Sequence, residues 1–172
     1  MNLVLIGYRG TGKSTIGARL AAMLDMAYVS LDAEIAARAG MPIPEIVSRA
    51  GWDRFRDLEE EAVADAAARD GQVLDTGGGV VVRPENIRRL KERGIVFLLE
   101  ARVEDIIARI GGGEDRPSLT GAKSFTEEVA EVLAAREPGY RKAADVVIDT
   151  SRRAPEEAAA AIAEEFRRRA GV

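Results

Sequence analysis

Eight residues near the start of the chain, Gly7-Tyr8-Arg9-Gly10-Thr11-Gly12-Lys13-Ser14, have the types and the spacing to hold a phosphate. They read G-x-x-x-x-G-K-S. An apolar run, Leu3-Val4-Leu5-Ile6, precedes them as a buried strand would, and Ile16, Leu20 and Leu24 follow at the spacing of one helix face. A glycine-rich turn between strand and helix leaves main-chain N–H groups unpaired at a helix N-terminus, where the helix dipole favours an anion. Gly10, Thr11, Gly12, Lys13, Ser14 and Thr15 are therefore the expected phosphate cradle. Lys13 would reach the β- and γ-phosphates, and the Ser14 hydroxyl would ligate Mg²⁺.

Further chemistry lies where apolar runs end. Val29-Ser30-Leu31-Asp32 closes the second run, and ligands of open α/β sheets bind beyond the carboxyl ends of strands. Asp32 there reads in two ways: as a carboxylate that accepts from an acceptor hydroxyl, or as the N-cap of a helix beginning Asp32-Ala33-Glu34-Ile35. The third run ends Val73-Leu74-Asp75-Thr76-Gly77-Gly78-Gly79. An apolar strand ending in Asp beside a phosphate loop has the form of a metal-side carboxylate. Three glycines let the main chain approach a ligand with its N–H donors uncovered.

Arginines supply the remaining charge. Phe55, Leu58 and Ala62 make a core-facing stripe with Arg56 beside it, where the guanidinium either snorkels or pairs with Glu59 or Glu60. Arg136 shares a helix face with Val129, Leu133 and Tyr140, and an arginine on an apolar face calls for an anion or a carboxylate. Arg109, Arg116, Arg152 and Arg153 complete the set, whereas Arg54 and Arg88 read as solvated.

The rest of the composition narrows the chemistry. The 172 residues contain no His and no Cys, so there is no imidazole base, thiolate nucleophile, disulfide or cysteine zinc site. A net charge of −4 gives no global basic field for nucleic acid, and Arg167-Arg168-Arg169 reads as the last turn of a helix. No apolar run is long enough to span a membrane, and the first residues enter a strand at once. The expectation is a cytoplasmic, monomeric protein of one domain that binds small molecules rather than nucleic acid or membrane.

Five apolar runs, at 3–7, 27–30, 72–75, 95–99 and 146–149, alternate with helical patterns. The helices are expected near 13–24, 32–39, 44–50, 53–69, 84–93, 103–110, 126–142 and 155–169. This alternation predicts an α/β fold with a parallel sheet covered on both faces. Pro84 and Pro155 stand at helix starts, and Gly40, Gly71 and Gly94 follow helix ends. Residues 111–123 are polar, glycine-rich and without periodicity, which suits a lid over the site.

With these residues in place, the chain resembles shikimate kinase along essentially its whole length. The resemblance rests on the phosphate loop, Leu31-Asp32-Ala33-Glu34-Ile35, Phe55-Arg56-Asp57-Leu58-Glu59, Gly77-Gly78-Gly79, Asp115-Arg116-Pro117-Ser118-Leu119, Arg136-Glu137-Pro138-Gly139-Tyr140 and the stretch from Asp149 to Pro155, in that order. It implies a single-domain, three-layer P-loop kinase fold with five parallel strands in the order 2-3-1-4-5, as in nucleoside-monophosphate kinases. It also implies ATP-dependent phosphorylation of the shikimate 3-hydroxyl, with Mg²⁺, on the route to chorismate and aromatic amino acids. Residues 32–60 would bind shikimate and residues 111–123 would form the lid. Asp32 would hold the acceptor hydroxyl, Arg56 and Arg136 the carboxylate, and Gly77, Gly78 and Gly79 would line the acceptor site, Gly78 through its main chain. Lys13 and Arg116 would act on the phosphates, with Arg109, Arg153 and Pro155 at the adenine. A gluconate-kinase-like enzyme and a non-catalytic nucleotide-binding module are the alternatives.

One departure from the resemblance matters. The family's D-x-D at the end of the second strand becomes Ser30-Leu31-Asp32, and Asp75 stands where the family commonly has a small or hydroxyl residue. The expectation is that the metal-side carboxylate has moved from strand two to strand three, giving Ser14 and Asp75 as the metal residues.

Overall fold

The computed structural model describes residues 1–110 and 125–171. Five strands form one sheet: β1 (Asn2–Ile6), β2 (Ala27–Ser30), β3 (Gln72–Asp75), β4 (Gly94–Glu100) and β5 (Val146–Asp149). Their order is β2-β3-β1-β4-β5 and every neighbouring pair is parallel. β1 is central and wholly buried, as an apolar run covered by helices on both faces must be.

Helices fill the crossovers: α1 (Lys13–Leu24), α2 (Leu31–Ala39), α3 (Ile43–Ala67), α4 (Pro84–Glu92), α5 (Val103–Ile110), α6 (Phe125–Ala143) and α7 (Pro155–Ala170). Alternate residues of β1 feed opposite layers. Val4 and Ile6 pack with Leu31, Val63, Leu90 and Tyr140. Leu3 and Leu5 pack with Ile16, Leu20, Ile162 and Phe166. A third, smaller cluster of Ile35, Ile46, Phe55 and Ala62 joins α2 to α3 and carries the insertion before β3. Among the described residues no helix is long and apolar enough to cross a membrane.

The sequence pattern and the structure differ at a few boundaries. Gly7 lies outside β1, because its φ of 139° leaves the extended region and begins the phosphate loop. The two helices expected over 44–50 and 53–69 run together as α3, broken at Gly51 by φ 81° and ψ 171°. A short 3₁₀ turn, Val80–Val82, follows the three glycines without a periodic signature of its own. The parallel register brings Leu5, Ser30 and Asp75 to one level at the carboxyl edge of the sheet.

Candidate active site

The carboxyl edge opens into a cavity of about 700 Å³, floored by residues 10–15 of the phosphate loop and bordered by Ser30, Asp32, Asp75 and Gly78. Gly10 and Gly12 have φ of 78° and 97°, which lets consecutive N–H groups turn toward the cavity ahead of α1. Lys13 is buried, and its ammonium donates to the Gly7 and Tyr8 carbonyls at 2.9 and 3.1 Å, so its charge is held over the loop. Arg109, Arg153 and Pro155 border the same cavity at its far side. Arg109 also ties that side together, donating to the Gly10 and Thr150 carbonyls at 3.2 and 2.6 Å.

Asp75 is buried beneath the loop. Its Oδ2 accepts from the Ser14 hydroxyl at 2.7 Å and from the Tyr28 hydroxyl at 2.8 Å. Burial and this carboxylate push the Tyr28 phenol up to about 12, so it stays a donor. Ser14 and Asp75 offer hard oxygens to one side of the phosphate cradle, which fits Mg²⁺ held by one or two residues, phosphates and water.

Ser30, not Asp32, caps α2: its side chain accepts from the Ala33 N–H at 3.4 Å. The cap reading of Asp32 is therefore corrected. With Ser30 as cap, Asp32 falls in the first helical turn and borders both the phosphate cavity and the cleft beyond it. A Cβ at Gly77 would stand 2.7 Å from Asp32 Oδ1 and 3.0 Å from Glu59 Oε1, so glycine there makes room for both carboxylates.

The adjoining cleft is lined by side chains. Arg56 and Glu59 form a buried ion pair of 2.7 Å, with 10% and 1% of their side chains exposed. Glu60, the other partner open to Arg56 by spacing, turns instead to Arg83 and Arg89. The Arg56 guanidinium lies 5.6 Å from the Trp52 ring centre and 5.1 Å from that of Phe55, where the aromatic faces favour a cation. A Cβ at Gly79 would fall 2.1 Å from Arg56 Nη2; only glycine leaves that guanidinium its place. Burial raises the Glu59 carboxyl above its ordinary value, against the opposing pull of Arg56.

Arg136 closes the cleft from α6. It donates to the Gly78 carbonyl at 3.0 Å, and Tyr140 donates to the same oxygen. Among the described residues the hydrogen-bond partner of this arginine is thus a main-chain carbonyl, and its side chain borders the cleft. Burial pushes the Tyr140 phenol up to about 12, which keeps it protonated as it holds Gly78.

Of the expected site residues, the cavity and cleft gather residues 10–15, Asp32, Arg56, Asp75, Gly77, Gly78, Gly79, Arg109, Arg136, Arg153 and Pro155. Arg116 and the lid at 111–123 lie outside the described residues. Sequence reasoning missed Arg9, which borders both spaces, and Tyr28, whose phenol reaches Asp75 from 47 positions away. Position two of the phosphate-loop variable stretch marked Arg9, but no local signal marked Tyr28.

Residues 9–167 match a family model described as shikimate kinase. A shikimate kinase of Nitratidesulfovibrio vulgaris is 46% identical over 147 residues, covering 84% of this chain and 83% of that protein. One from Thermodesulfovibrio yellowstonii is 42% identical over 167 residues, with 97% and 95% covered. Among solved structures, shikimate kinase from Acinetobacter baumannii in complex with shikimate superposes with a TM-score of 0.91 at 33% identity, covering 96% of this chain and 92% of that one.

Proposed function

The chain belongs to the shikimate kinase family, and on that premise we propose that it transfers the γ-phosphoryl group of ATP to the 3-hydroxyl of shikimate, giving shikimate 3-phosphate and ADP. The observation that carries this reading is the position of Asp32, at the junction between a phosphate cavity and a cleft whose walls include Arg56 and Arg136. Shikimate is a small carboxylate with three hydroxyls. Arg56 and Arg136 offer it fork-shaped, charge-assisted recognition, which fixes the ring and aims one hydroxyl at Asp32.

Asp32 orients that hydroxyl and takes its proton as the oxygen–phosphorus bond forms. The bond from the γ-phosphorus to the bridging oxygen breaks, and its electron pair leaves on ADP. The loop N–H groups and Lys13 would hold the phosphates in line; Arg116 would add charge to them, with Arg109, Arg153 and Pro155 beside the adenine. Ser14 and Asp75 are the residues that would hold Mg²⁺, which would supply positive charge against the phosphates. No covalent intermediate is needed, which suits a chain without His or Cys.

Ser14 and Asp75 would hold the metal side of the cradle, Asp75 replacing the carboxylate absent at Ser30. The Ser14–Asp75 hydrogen bond and the shared level of Ser30 and Asp75 support this reading. Asp75→Ala should lose most Mg²⁺-dependent turnover, and Ser30→Asp/Asp75→Ser should regain a Mg²⁺ response. Undiminished Mg²⁺ dependence in Asp75→Ala would rule the relocation out.

The reaction itself is tested with purified protein, ATP and Mg²⁺, following ADP release with shikimate or gluconate as acceptor. Release that depends on shikimate alone is expected. Release with gluconate, or none despite intact ATP binding, would contradict the assignment.

A further inference from the structure

Tyr28 has no part in the account above, yet its hydroxyl ends on the carboxylate that account relies on. It stands on the edge strand β2, two residues before Ser30, with the residue 38% exposed. Its ring lies against α1, where a Cβ at Gly17 would come within 2.9 Å of it; a glycine at 17 gives the ring its seat. From there the phenol crosses to β3 and donates to Asp75 Oδ2 at 2.8 Å, the oxygen that also takes the Ser14 proton at 2.7 Å.

Two hydroxyl donors on one carboxylate oxygen have a geometric consequence. They fix the rotation of the carboxyl group and reserve Oδ1, to which no hydrogen bond is directed among the described residues, for the cavity that Asp75 borders. Donating its proton to Asp75 also leaves the lone pairs of the Ser14 oxygen for the cavity side. A tyrosine placed only for packing on an edge strand would keep its hydroxyl in water, where its hydrogen bonds are satisfied without ordering the ring.

We propose that Tyr28 is a positioning residue for the metal side of the site, acting through Asp75 and making Tyr28, Asp75 and Ser14 one hydrogen-bonded unit. The inference rests on the reading of Asp75 as the metal-side carboxylate. Partners that orient a ligating carboxylate are worth about 10- to 100-fold in metal affinity. Tyr28 sits on the strand that ends in Ser30, so β2 would contribute to the site through a phenol in place of a carboxylate ligand.

The test uses Mn²⁺ as the probe ion and ADP binding as the readout, with no turnover involved. Calorimetric titration gives the ADP affinity with saturating Mn²⁺ and in a chelator, and the ratio reports how strongly the ion is engaged by the protein. Tyr28→Phe, Asp75→Asn and the double variant are compared with the parent, with thermal unfolding as the check on folding. Tyr28→Phe should cut the Mn²⁺-dependent gain about tenfold while leaving the affinity in chelator unchanged. Asp75→Asn should cut it further, and the double variant should match Asp75→Asn, since Tyr28 acts only through that carboxylate. A full Mn²⁺ gain in Tyr28→Phe with a loss in Asp75→Asn would overturn the role of Tyr28 alone. A full gain in both would overturn the metal-side reading of Asp75 itself.

Discussion

The phosphate end and the acceptor end of the site are built from different materials. At the proposed phosphate end the main chain shapes the cavity: glycines at positive φ bend the loop beneath it, and Lys13 is held by carbonyls of its own loop. At the proposed acceptor end side chains do it. Arg56 is fixed by Glu59, by two aromatic faces and by the space Gly79 leaves, and Arg136 by a carbonyl of the glycine run. A main-chain site is contiguous in sequence and tolerates most side-chain changes around it. A side-chain site depends on partners brought from three elements, so single substitutions should damage the acceptor end while leaving nucleotide binding intact.

The strongest way to break this contrast is Glu59→Ala. It leaves the Arg56 charge buried without its partner, a change that costs about 3 kcal/mol or more in stability. Thermal unfolding should show a loss of roughly 10 °C for a chain of this size. Shikimate affinity should fall with it. Unchanged stability would mean that the aromatic faces alone hold Arg56.

Gly79→Ala should act on the ligand more than on the fold. The new Cβ displaces the Arg56 guanidinium, and losing a charge-assisted bond worth about 1.5–3 kcal/mol weakens shikimate about 10- to 100-fold. Calorimetry should find ADP affinity unaltered. Arg136→Lys keeps the charge but not the fork, for a smaller loss of roughly tenfold in shikimate affinity, again with ADP unaffected. Equal losses for both ligands would make Arg136 structural.

The mildest effect concerns pH. Burial raises the folded-state value of Glu59 above its ordinary 4.5, so in this window the folded chain binds a proton more readily than the unfolded one. The stability from that group is present below about pH 4.5 and lost as pH rises through the raised value. Denaturant unfolding across this window should decline more for the parent than for Glu59→Gln. Parallel curves would mean that the carboxylate is not perturbed.

The two ends also differ in how far they could be read from sequence. Strand positions and the phosphate loop followed from apolar runs and glycine spacing, which are local, and β2, β3 and β5 fall where their runs predicted. The strand order came from resemblance, because alternation alone leaves several parallel orders open. Within the acceptor end, Glu59 and Glu60 were equal candidates for Arg56, since three and four residues along a helix both reach. The choice is made by Arg83 and Arg89, which draw Glu60 to the outer face. Asp32 was open to a cap reading beside the site reading because the helix was expected from 32; the cap is Ser30, two positions earlier, and Asp32 falls within the first turn. Tyr28 was invisible because its partner lies on another strand.

In the proposed reaction shikimate occupies the cleft between Trp52, Arg56 and Arg136. Trp52 is the only tryptophan, and its indole lies beside the Arg56 guanidinium, so its emission reports directly on that cleft. Titrating shikimate into the nucleotide-free protein should change Trp52 fluorescence to saturation, with the midpoint raised in Arg136→Lys. A flat titration, or a midpoint indifferent to Arg136, would contradict the account.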